Sequence, residues 1–201
     1  MKIPSKYIDN AVDQMASLPG VGRRTALRLV LQLMNRSKDE IADFSEAFTM
    51  MKENVKKCNV CNNISDQDTC GICSNPSRDK SIICVVEDIR DVLAIEATET
   101  YKGVYHVLDG IISPMDGIGP SDLHIDKLIH RANTEFITEI IFALSATMEG
   151  DTTSFYIYKK LKETDVIISS LSRGVSIGSE LQYADEVTLS RSLLNRQPFQ
   201  I

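Results

Sequence analysis

Cys58-Asn59-Val60-Cys61, followed after eight residues by Cys70-Gly71-Ile72-Cys73, forms a C-x2-C-x8-C-x2-C pattern in a run with almost no other apolar side chains. Each C-x-x-C pair places two thiolates on one turn, and two such turns supply four soft ligands in a tetrahedron. A segment this poor in apolar residues cannot pack a core of its own, so binding an ion is what folds it. Ligand type and the closed set of four favour one structural zinc per chain over an iron–sulfur or rubredoxin-like site. The other reading is two disulfides, which needs an oxidising compartment that nothing else in the chain suggests. Four protein ligands leave no open position for a substrate. Cys84, inside an apolar run, reads as a core residue.

The pattern also divides two kinds of sequence. Before it, Ile3, Tyr7, Ile8, Val12, Met15 and Leu18 recur at helical spacing, and the helix over residues 3–17 stops at Leu18-Pro19-Gly20-Val21-Gly22. Helical spacing resumes with Leu27, Val30, Leu31 and Met34. Ser37 and Glu40 stand as a capping box before a third helix, with Ile41, Phe44, Phe48, Met51 and Val55 along one face. Between the first two helices, Gly20 and Gly22 let the backbone turn tightly and approach a phosphate with no Cβ in the way. The amides and dipole at the start of the second helix favour an anion, and Arg23, Arg24 and Arg28 add charge. A helix-hairpin-helix needs this to grip a DNA backbone without reading bases. The alternative is a plain interhelical turn with solvated arginines.

After the cysteines, strands and helices alternate: strands over 81–87, 103–108, 138–144 and 166–171, helices over 91–99, 125–132 and 151–163, and a Gly/Pro-rich loop over 109–122. This order predicts a mostly parallel α/β sheet, with the tail, residues 183–194, adding a strand and a helical turn. Of the 201 residues, 43% are hydrophobic and 25% charged, as in a folded soluble protein. No apolar run approaches the roughly 20 residues that cross a bilayer, and the N-terminus does not read as a signal peptide. The net charge of −6 is unevenly spread. Residues 1–57 hold 10 Lys and Arg against 7 Asp and Glu, whereas residues 58–201 hold 12 against 21. A basic end on an acidic remainder can bind phosphate locally.

Glu87 ends the first strand of the α/β region, where ligands of open sheets bind, and Glu149-Gly150-Asp151 follows the third. The lesser alternative is that both glutamates are ordinary solvent-facing caps. The pattern resembles the Toprim fold, in which a Glu after the first strand and a later Asp-x-Asp-x-Glu-Gly motif bind magnesium for phosphoryl chemistry. Ser145 and Thr147 stand at the two Asp positions of that motif, and neutral hydroxyls cannot balance a divalent ion with two phosphate oxygens. The expectation is a Toprim scaffold without catalysis. Asp116-Gly117-Ile118-Gly119-Pro120 lacks the Lys-Ser/Thr of a P-loop, Asp185-Glu186 is a poor Walker-B match, and His106, His124 and His130 have no nucleophile patterned beside them.

Helix-hairpin-helix, four-cysteine knuckle, Toprim-like unit and short C-terminal extension, in this order, resemble the RecR family of bacterial recombination mediators over nearly the whole chain. The resemblance rests on Leu18 to Gly22, the four cysteines and Cys84-Val85-Val86-Glu87. Residues 101–108, residues 112–120, Glu149-Gly150 and Thr188-Leu189-Ser190 complete it. It implies four parts: DNA binding and dimerisation in 1–56, a zinc finger in 57–76, a Toprim domain in 80–174 and an extension in 175–201. It further implies a non-enzymatic, cytoplasmic, nucleoid-associated clamp, from dimer to ring tetramer. The clamp binds single- and double-stranded DNA and works with RecO and, in many bacteria, RecF to load RecA at gaps. By the same resemblance Gly20, Gly22, Arg24 and Arg28 contact DNA, Cys58, Cys61, Cys70 and Cys73 hold zinc, and Glu87 and Glu149 face a partner, Glu149 being tied to RecO. The chain departs from the family in having Ser145-Ala146 for Asn-Pro, Arg23 for Pro, and Arg173 to Ser179 for a His-Gly-x-Pro-x-Gly-Gly segment. The competing expectation is a Toprim nuclease or primase-like phosphotransferase using Glu87, Glu149 and Asp151 with magnesium. A pure adaptor, whose acidic sheet face docks a basic protein, is a third.

Overall fold

The computed structural model describes residues 3–176, 178, 180–196 and 198, which form two units dividing between Val55 and Lys56. In the first unit, α1 (Lys6–Ala16), α2 (Arg23–Met34) and α3 (Lys38–Asn54) follow one another. Ser5 starts α1 by accepting the Ile8 amide at 3.5 Å. Ser37 and Glu40 close the expected capping box on α3, at 3.2 and 2.8 Å. The helically spaced residues of α1 and α2 meet: Val12, Ala26 and Val30 are buried, with Ile8, Met15, Val21 and Leu27 packed around them. The third helix forms as its periodicity predicts, but none of its residues is buried. Phe48 and Met51 are more than half exposed, so much of this apolar stripe is left uncovered by the described residues.

The second unit opens with a two-residue antiparallel pair, β1 (Lys56–Lys57) with β2 (Ile64–Ser65), and a single turn, α4 (Gly71–Ser74). Then come β3 (Asp79–Val86), α5 (Ile89–Glu96), β4 (Gly103–Val107), α6 (Ile125–Thr134), β5 (Glu139–Ala143), α7 (Met148–Leu161), β6 (Ile167–Ser170) and α8 (Glu186–Leu194). The four long strands form one parallel sheet in the order β4-β3-β5-β6. In the central strand, Ile83 and Val85 face a core shared with Leu128 of α6 and Ile157 and Leu161 of α7. Cys84 and Val86 face the opposite core, with Val92 of α5, Tyr105, and Ile72 of α4. Both faces are covered, which is why β3 reads as a continuous apolar run rather than an alternating one.

The helix expected over 91–99 begins earlier, at Ile89, because Asp88 and Asp91 make a capping box. Helix α7 likewise starts at Met148, on the Thr147 cap. The chain then turns so tightly out of β5 that a Cβ on Gly150 would collide with the Ser145 carbonyl oxygen; only glycine fits there. The tail differs from expectation. Among the described residues of 183–194 there is no strand; Asp185 caps α8 by accepting the Thr188 amide at 2.8 Å. Asp185-Glu186 are thus an N-cap and a first-turn acid, placed where the helix dipole favours them.

Candidate functional site

In the hairpin, the Val21 amide closes the turn on the Leu18 carbonyl at 3.1 Å. Gly20 takes φ +79°, a left-handed conformation that side-chain-bearing residues avoid. Gly22 is different: its φ of −72° is ordinary, and nothing lies within 4 Å of where its Cβ would stand. Its own fold does not demand glycine there. No side chain caps the first turn of α2, so amides of that turn remain available to an external acceptor. Arg24 and Arg28 are exposed and make no ion pair with any described residue. Arg23, by contrast, bridges Asp9 and Asp13 of α1. Its guanidinium ties the two helices together, and its charge is offset by two carboxylates.

The four cysteines converge. All are buried, and their Sγ atoms lie within 4.8 Å of one another; no disulfide joins them. Cys61 and Cys70 Sγ stand 3.6 Å apart, close to the edge, about 3.8 Å, of a tetrahedron with zinc–sulfur bonds of about 2.3 Å. The Cys70 amide donates to Cys58 Sγ at 3.3 Å and the Cys73 amide to Cys70 Sγ at 3.5 Å, bonds that stabilise thiolate. The Cys73 thiol, donating to Cys61, pushes that group down to about 5, while burial pushes Cys70 up to about 11. A divalent cation is the group that lets all four lose their protons together. Four soft, buried sulfurs fit structural zinc, which would supply a cross-link and leave no position for substrate.

The knuckle is bonded to the sheet. The Val107 amide at the end of β4 donates to the Cys61 carbonyl at 2.8 Å. Asn62 Nδ2 donates to the Val107 carbonyl at 3.2 Å and to Asp109 Oδ2 at 2.9 Å. Asp109 also pairs with Lys57 at 2.6 Å and His124 at 3.2 Å. Burial alone would raise its carboxyl, but the Lys57 and Asn62 hydrogen bonds win and hold it below the usual range. Sequence reasoning did not single out Asp109; its one local signal is the Asp109-Gly110 pair after an apolar strand.

Glu87 follows β3 and Glu149 sits in the first turn of α7, both at the carboxyl edge of the parallel sheet and half-buried. Burial raises the Glu87 carboxyl, with Asp91 and Asp88 adding repulsion and the Ser145 hydroxyl opposing. Asp151, the third acid, is engaged elsewhere: it pairs with Arg173 at 2.6 Å and Arg191 at 3.6 Å, and Arg173 holds it below its usual range. Among the described residues, the only group of three or more metal-capable side chains brought together is the four cysteines. His106 is buried, with Nε2 2.8 Å from the His124 carbonyl and Nδ1 3.5 Å from the buried Arg131. It serves packing.

Four family profiles match the chain in succession. They are the RecR helix-hairpin-helix over residues 8–51, the RecR four-cysteine zinc finger domain over 55–75, the Toprim domain over 81–172 and the RecR C-terminal region over 174–197. Recombination protein RecR of Flavobacterium johnsoniae is 55% identical over 200 residues, covering 100% of this chain and 97% of that protein. The proteins of the same name from Porphyromonas gingivalis and Phocaeicola vulgatus are 54% and 58% identical, each over 98% of this chain and 96% of their own length.

Proposed function

Because this chain belongs to the RecR family of recombination proteins, we propose that it acts in recombinational repair as a DNA-binding clamp without catalysis of its own. The observation that carries the reading is the open face of the hairpin. Gly22 leaves empty space beside an uncapped helix start, and Arg24 and Arg28 stand ready to pair with phosphates. Amides and guanidiniums of this kind hold a sugar-phosphate backbone and read no bases, so single- and double-stranded DNA are both ligands. One hairpin binds weakly. Several in one assembly bind through raised effective concentration, which supports a homo-oligomer, from dimer to ring tetramer. The uncovered stripe on α3 supports the same assignment.

The clamp works with RecO and, where present, RecF to load RecA on single-stranded DNA at gaps, and Glu87 and Glu149 face such a partner. Gly20, Gly22, Arg24 and Arg28 contact DNA, while Arg23 acts chiefly by setting the hairpin. The parts divide as 1–56, 57–76, 80–174 and 175–201, in a cytoplasmic, nucleoid-associated protein. Among the described residues no helix is long and apolar enough to cross a membrane. The hold of Arg173 and Arg191 on Asp151 argues against magnesium-dependent phosphotransfer.

The test is a salt titration of DNA affinity. Arg24→Gln and Arg28→Gln should each weaken binding evenly across sequences and reduce the log–log salt slope by about one. Unchanged slopes in both variants would remove the hairpin from the interface.

A further inference from the structure

We propose that the cleft between α7, α8 and the outer edge of β6 is a second nucleic-acid site, separate from the hairpin. It would take a single-stranded segment by its phosphates and stack a base on Tyr158. The cleft has a volume of about 1080 Å³ and lies wholly within the second unit. That is just above the usual range of small-ligand pockets.

Three arginines line it, Arg173, Arg191 and Arg196, against the single carboxylate of Asp151. In a region where residues 58–201 hold 12 basic against 21 acidic side chains, this is a local reversal of sign. Asp151 accepts a hydrogen bond from Arg173 at 2.6 Å and pairs more loosely with Arg191 at 3.6 Å. It holds Arg173 and attracts Arg191 while leaving the two side chains 30% and 40% exposed, and a guanidinium has further N–H groups to offer a second anion. Helix α7 presents Phe155 and Tyr158 to the same cleft, three residues apart and 68% and 49% exposed. Rings left in water beside cations are what a base covers when its phosphate is held alongside. The hydroxyls of Ser154, Ser170 and Ser172 line the same space and can donate to phosphate oxygens. Carboxylates of an acidic peptide would also suit the arginines, but the exposed rings and the hydroxyls favour nucleotides.

The full-length protein carrying Arg24→Gln and Arg28→Gln, to silence the hairpin, is irradiated with a short bromodeoxyuridine-substituted oligonucleotide. Affinity is measured in parallel at low salt. The expected result is residual, salt-sensitive binding with adducts on Tyr158 or Phe155, reduced about tenfold by Tyr158→Ala or Arg191→Gln. Arg196→Gln, at an exposed position, gives the same answer should either of those variants fold poorly. Adducts absent from α7, with cleft variants binding as their parent does, would overturn the proposal. So would a bound mononucleotide that the oligonucleotide cannot displace, or displacement of the oligonucleotide by an acidic peptide but not by a second oligonucleotide. A changed solution mass with binding unaltered would assign the cleft to a second copy and overturn it as well. The hairpin is scored independently, from Arg24 and Arg28 variants in a chain with an intact cleft.

Discussion

Two residues carry consequences out of proportion to their size. Gly150 lies against the Ser145 carbonyl, and a backbone oxygen cannot swing aside as a side chain can. Gly150→Ala should therefore cost about 3 kcal/mol, read as a lower urea midpoint with an unchanged denaturant slope. His106 is held neutral: burial pushes its imidazole down to about 3. The unfolded chain takes up that proton near pH 6.5, so stability is complete above about 6.5 and falls by about 1.4 kcal/mol per unit as pH drops towards 3. His106→Gln should flatten this dependence between pH 6 and 5 in chemical denaturation; an identical slope would assign the acid sensitivity to other groups. Neither role shows in the sequence, where His106 is one histidine among three. Arg23 is similar: it reads as one of a basic cluster, and only the fold brings Asp9 and Asp13 of another helix beneath it.

At the level of elements, the strands and helices that bury both faces or one stripe were legible, because their periodicities of 2 and 3.6 follow from what they pack against. The β1–β2 pair was not, since two residues per strand carry no period. Nor was the absence of a strand among the described residues of 183–194, where a cap decided for helix. The four cysteines were legible because spacing alone sets ligand geometry, but not their attachment to β4. That attachment makes a prediction. Chelating zinc should raise amide hydrogen exchange at Val107 as well as over residues 58–73, because the Cys61 carbonyl accepts the Val107 amide. Protection at Val107 that survives metal removal would mean the knuckle holds its shape without the ion.

For the whole molecule, what was legible is what is built from chain neighbours, the turn at residues 18–22 and the cysteine cluster at 58–73. The Asp151–Arg173–Arg191 cluster was not, since its members come from three separate stretches. Assembly is a property of this scale too. Helix α3 leaves Phe48 and Met51 in water, and the proposed homo-oligomer predicts that this apolar stripe is covered by a second copy. Phe48→Glu with Met51→Glu should leave helix content by circular dichroism unchanged and lower the solution mass by light scattering. A mass equal to wild type would place self-association on another face.

The bonds converging on Asp109 bear on how freely such proteins can be recombined by design. Lys57, Asn62 and His124 all meet that one carboxylate, so the cysteine knuckle is not a detachable cassette. Transplanting a foreign four-cysteine loop of matching length would restore the metal yet strand Asp109 in a half-buried pocket without its amide and ammonium partners. A viable chimera has to carry those contacts across with the sulfurs.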